Sequence, residues 1–268
     1  MHNPIADERP PTRLEIALGS DRAPLVLLLL LFPLVCWWWI VVMARDMYGP
    51  MTGASAWMMT PTWDARHVFL LWAMWAVMMA GMMLPSAAPL LLLYGVAARR
   101  QGLGAAAPRQ IYALAAGYLA VWALFSIATT VAQRILSMRL IVSPMMTLTR
   151  PWAGAALLLL AGVYQLTPLK EVCLQNCQSP LSFLMHRWRA GVAGAFRMGI
   201  DHGINCLGCC WALMLLLFAG GVMNLAVIAA LTAFVAFEKL APFGDRGARV
   251  SGGLLLAAGL WMLFQARG

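Results

Sequence analysis

Ala23-Pro-Leu-Val-Leu-Leu-Leu-Leu-Leu-Phe-Pro-Leu-Val-Cys-Trp-Trp-Trp-Ile-Val-Val-Met43 runs for 21 residues without a charge. A helix rises about 1.5 Å per residue, so roughly 20 apolar residues cross a hydrocarbon core about 30 Å thick. The stretch is long enough. A charged, proline-rich lead precedes it and no small-residue cleavage pattern follows, so it reads as an anchor and not as a signal peptide. The rest of the chain has the same character: of 268 residues 62% are hydrophobic and 11% charged, where an ordinary soluble domain is about 25% charged. Lipid admits only helices and closed barrels, and the alternation a barrel strand needs is absent. The fold expected is all-α, a polytopic transmembrane helical bundle.

Seven spans can be drawn, at about 23–43, 67–94, 111–137, 151–167, 207–221, 223–240 and 250–265. Residues 191–206 read as a short half-helix, a re-entrant piece or the lead into the fifth span. Residues 1–22 read as a flexible tail and 23–268 as a single transmembrane domain. The formal charge of +9 lies in short loops and not in one run, so the lipid bilayer, and not nucleic acid, is the partner it implies. With the N-terminus inside, twelve Lys and Arg fall in inner loops and five in outer ones. That predicts an inner-membrane protein with a cytoplasmic N-terminus and a periplasmic C-terminus.

Chemistry concentrates late in the chain. Five of the six cysteines lie between Gln165 and Trp211, on the side where thiols stay reduced under the predicted orientation. In Asp201-His-Gly-Ile-Asn-Cys-Leu-Gly-Cys-Cys-Trp211, His202 precedes Cys206 by four residues and Cys209 follows it by three. On a helix these share a face and can hold one ion. Vicinal Cys210 points elsewhere, and Asp201 is placed to orient the imidazole. Cys173 and Cys177, also four apart, form a second pair that with His186 completes a four-ligand site or makes a separate one. Met74, Met78 and Met82 recur every four residues along the second span, with Met79 and Met83 on the adjoining stripe. Thioethers are soft and uncharged, suited to Cu(I) at depth, although methionine also serves as packing filler. Met58-Met59 and Met145-Met146 are weaker candidates for recruiting an ion from outside. Glu238-Lys239 reads as a snorkelling pair at a span end, and Trp72, Trp75, Trp188 and Trp211 read as interface anchors.

No Walker loop, dinucleotide fingerprint, nucleophile elbow or His-Glu-x-x-His helix is present, which argues against a hydrolase or an ATP-driven pump. The leading expectation is a protein, not an enzyme, that binds a soft metal ion for transport, delivery or insertion, with copper favoured over zinc. Its partners would be other membrane-complex subunits or a metal-delivery protein. Two other readings fit the same residues: a thiol–disulfide electron-transfer enzyme of the membrane, and an accessory subunit of a larger complex.

Four runs together resemble a bacterial family of unknown function described as predicted metal-binding integral membrane proteins. They are Trp75–Ser86, Tyr164–Pro180, Gly191–Met214, and Gly221–Leu225 together with Glu238-Lys239, and the likeness spans roughly residues 65–245. The resemblance implies that Cys173, Cys177, His202, Cys206, Cys209 and Cys210 occupy the motif positions, in a bacterial inner membrane.

Overall fold

The computed structural model describes residues 25, 27–49, 63–101, 106–143, 146–241 and 243–265. The expected tail at 1–22 and the methionines Met58, Met59 and Met145 lie outside the described residues. What is described is helical, the one pairing of extended backbone being a single bridge between Val142 and Leu148. The helices are α1 (Leu27–Met47, opening on a π turn), α2 (Ala65–Met83), α3 (Ala88–Arg100), α4 (Ala107–Met138) and α5 (Pro151–Gln165). They continue as α6 (Pro168–Gln178), α7 (Pro180–Arg187), α8 (Gly191–Gly220), α9 (Leu225–Leu240) and α10 (Gly244–Gln265).

Five stretches are long and apolar enough to cross a membrane: α1, α2 with α3, α4, α8 and α10. The pair α5 and α6, bent by 66°, makes a sixth if counted as one broken span. Seven were expected. The difference is α9, whose 16 residues extend only about 24 Å, short of a straight crossing. Large apolar side chains such as Leu34, Trp38, Leu124, Leu254 and Phe264 remain exposed on the outside of the bundle.

Of the three readings of residues 191–206, the lead into the fifth span is the one seen: they form the first half of the continuous 30-residue α8 and not a separate half-helix. Two glycines of this stretch serve close packing. A Cβ on Gly199 would meet the Leu114 carbonyl and lie 2.9 Å from Tyr118 N, while one on Gly203 would lie 2.9 Å from Val121 Cγ2. Gly117 on α4 meets the Phe196 carbonyl in the same way. Helix association in lipid relies on such close backbone approach, and it fixes the register of α8 on α4. Cys206 therefore comes 15 residues after Gly191 (206 − 191), about 22 Å along the axis. It is half-way down the helix and not at its end, as the sequence reading had it.

The α2–α3 break follows from Pro85, which has no N–H to give Gly81. Trp37 Nε1 donates to the Gly81 carbonyl instead, at 3.2 Å. One turn of 3₁₀ helix at Pro85–Ala87 carries the chain into α3. Ala87 N bonds to Leu84 O and leaves the Met83 carbonyl to side chains.

Candidate functional site

Three segments meet beside the middle of α8: the break after α2, the last turn of α9 and the C-terminal half of α6. At the first, the freed Met83 carbonyl accepts from Ser86 Oγ (2.8 Å) and from the Tyr118 hydroxyl (2.9 Å). The same hydroxyl lies 3.0 Å from Cys206 Sγ, where either atom can donate. The carbonyl freed at the break is thus satisfied by side chains.

Cys206, Cys209 and Cys210 are all buried, and none of the six cysteines is disulfide-bonded. The Cys209 and Cys210 thiols each donate to the Cys206 carbonyl, at 3.1 and 2.9 Å. On α6, Cys177 interacts with the Cys206 and Cys209 thiols. Cys173, one turn earlier, packs against Gly208, where an added Cβ would come 2.6 Å from its sulfur. Gly208 is small for that reason, and its carbonyl accepts the Tyr164 hydroxyl. The two cysteine pairs read from the sequence are therefore brought together across one helix interface. Among the described residues, however, no three His, Cys, Asp or Glu side chains already surround a common point as one ion would need.

His202 is buried against the rings of Tyr118 and Phe183, with centroids 5.7 and 5.4 Å away. Its Nδ1 has no hydrogen-bond partner. Asp201 was expected to orient that ring and does not. Successive helical residues project about 100° apart, and Asp201 turns to Arg189 (3.2 Å) and Arg187 (3.7 Å). His186 is exposed on α7 and bonds to the Ser182 carbonyl at 2.9 Å, so it stands apart from the thiols. Met74, Met78 and Met82 are fully buried along α2. Met83, at the end of that helix, is the methionine that reaches the cluster.

The residue the sequence reading misjudged is Lys239. It does not snorkel. Its ammonium is buried, 2.8 Å from Cys206 Sγ, 3.2 Å from Ser86 Oγ and 3.9 Å from Met83 Sδ. Glu238 is buried too, but on the other side of α9, bonded to Lys170 Nζ at 2.7 Å and to Gln165 Nε2 at 2.9 Å. Trp75, expected at an interface, is likewise fully buried and donates to Gln133 at 2.8 Å. An ionisable pair inside an apolar segment was the available signal for Lys239. Tyr118 and Ser86 had no pattern of their own, whereas Met83 lay on the stripe adjoining Met74, Met78 and Met82.

In chemical terms the site offers several thiols that can approach in pairs, an imidazole nitrogen with a free lone pair or proton, a thioether and one buried cation. Thiolates and thioethers are soft donors that suit Cu(I), and imidazole suits copper and zinc. No curated protein and no solved structure matches the chain. Residues 72–262, which include every group of this cluster, match the family described as PpoB2, copper chaperone, and the chain belongs to that family.

Proposed function

We propose that this chain binds Cu(I) inside its helical bundle and passes it on, with copper as cargo and not as a resident cofactor. The observation that carries the reading is the approach of Cys177 to Cys206 and Cys209, beside the unpartnered Nδ1 of buried His202, in a chain of a copper chaperone family. The residues assigned to the ion are Cys206 with Cys177 or Cys209, with His202 as a neutral third donor. Cys173 and Cys210 flank them and would take part in loading or release.

The chemistry needed is ligand exchange. A donor's thiolate leaves Cu(I) as a thiolate of this chain bonds to it, and release reverses the step with no change of oxidation state. Several thiols within reach of one another favour such exchange, because a new Cu–S bond forms before the old one is lost. The stripe Met74, Met78 and Met82 leads about 12 Å along α2 to the cluster, and we assign it as the path between the site and the far end of that helix. The membrane assigned is the bacterial inner membrane, with the N-terminus cytoplasmic, as the loop charges favour.

Elemental analysis of the full chain purified in detergent tests the reading. Copper should accompany the wild type and fall to background in a Cys206→Ser, Cys209→Ser double variant. Wild type without copper after growth in copper, or a double variant that keeps its full content, would refute it.

A further inference from the structure

Lys239 leaves one charge to be explained. A buried ammonium is costly unless something negative faces it. Among the described residues no carboxylate pairs with it: Glu238 is bonded to Lys170, and Asp201 to the two arginines. The groups that face Lys239 are the thiols of Cys206, Cys209 and Cys210 and the Tyr118 hydroxyl, with Ser86 and Met83 completing the shell. Tyr118 keeps its proton to donate to the Met83 carbonyl, so the counter-charge comes from sulfur.

We infer that Lys239 is a specificity-determining residue, whose fixed positive charge matches the site to a monovalent ion held by two thiolates. The inference rests on the copper reading above and sharpens it. Cu(I) between two thiolates carries one net negative charge, which the ammonium cancels. A divalent ion such as Zn(II) between two thiolates is neutral, so the ammonium stays uncompensated. With four thiolates, one of the ligand sets of structural zinc sites, the ensemble overshoots to one net negative charge. The three-thiolate set that would make Zn(II) neutral needs three sulfurs about one point, and among the described residues no three His, Cys, Asp or Glu side chains are so placed. In a dry interior, where Coulomb terms are large, the neutral combination is favoured. Here that combination is monovalent. The geometry agrees, since the ammonium bonds directly to Cys206 Sγ at 2.8 Å and remains beside that sulfur when a second thiol, from Cys177 or Cys209, supplies the other ligand.

The test compares wild type, Lys239→Arg, Lys239→Met and Lys239→Gln as full chains in nanodiscs. Cu(I) affinity is measured by competition with a chromogenic Cu(I) chelator and Zn(II) affinity by equilibrium dialysis. Removing the charge should lower the Cu(I)-to-Zn(II) affinity ratio on the order of 100-fold. Arginine should restore most of it. The glutamine variant keeps a hydrogen-bonding side chain, so its ratio should fall as the methionine variant's does, whichever of the two folds better. A ratio within about threefold of wild type in both neutral variants, or an arginine variant as impaired as they are, would overturn the inference and leave the copper reading standing. Wild type that binds no Cu(I) would remove both.

Discussion

Lys170→Met should be one of the most destabilising single changes in this bundle. Lys170 Nζ meets Glu238 Oε2 at 2.7 Å, and the two side chains are 1% and 2% exposed. Removing one partner of a buried ion pair leaves an uncompensated charge and costs about 3–5 kcal/mol. Gln165 Nε2 still donates to Glu238 Oε1 at 2.9 Å, which places the expected loss at the low end, about 3 kcal/mol. Taking both charges away should cost less than taking one. In Lys170→Met with Glu238→Leu, Gln165 Nε2 keeps Ser251 Oγ at 2.8 Å, and apolar side chains fill the gap, so most of the loss is recovered. Titration with denaturing detergent from mixed micelles measures these differences. The reasoning fails if either single variant loses under about 1 kcal/mol, or if the double variant loses the sum of the two singles.

Three further changes probe the site from different sides. Gly199→Val should cost at least about 3 kcal/mol by forcing α8 off α4, and with the register lost the chain should also lose its copper on elemental analysis. Tyr118→Phe removes one donor to Met83 O and one contact with Cys206. It should cost about 1–1.5 kcal/mol in the same detergent titration, with helix content by circular dichroism unchanged. Cys36→Ser is a control: Cys36 is buried against Gly81 on α2, away from the other thiols, and copper content should match wild type.

The helical class was legible because uncharged runs of about 20 residues have one common physical meaning. The thiol cluster was legible because residues spaced three or four apart in a cysteine-poor chain share a helix face. Where those pairs sit was not legible. The glycines at 199 and 203 can mark a break or a packing face, and only the partner decides: Leu114, Tyr118 and Val121 of α4 fill the space their missing side chains leave, whereas Gly194 meets Arg189. Glu238-Lys239 posed the same difficulty. A charged pair closing an apolar segment reads alike whether it reaches a headgroup or turns inward. The choice depends on Lys170 and Cys206, which lie 68 and 33 residues away. Asp201 went the other way because Arg187 and Arg189 come close to it at the start of α8, a contact between elements that helical spacing does not encode.

Where the site lies follows from where the helices are interrupted. A regular helix in lipid satisfies its own backbone and has nothing to offer a ligand. Irregular backbone at that depth must be buried in protein and satisfied by side chains. Pro85 creates such a place by freeing carbonyls, and Trp37, Ser86 and Tyr118 answer them. Once Tyr118 is held there, Cys206 is within its reach, because Gly199 and Gly203 have already brought α8 against α4. The last turn of α9 then adds two adjacent residues that project to different sides: Glu238 locks α9 to α5 and α6, and Lys239 faces the sulfurs. The structural pair and the charged site are thus built by neighbouring positions, and loosening the first should misdirect the second. Glu238→Gln should therefore lower the Cu(I)-to-Zn(II) affinity ratio along with stability, although Glu238 touches none of the thiols. An unchanged ratio in a destabilised Glu238→Gln chain would show that Lys239 is aimed without its neighbour.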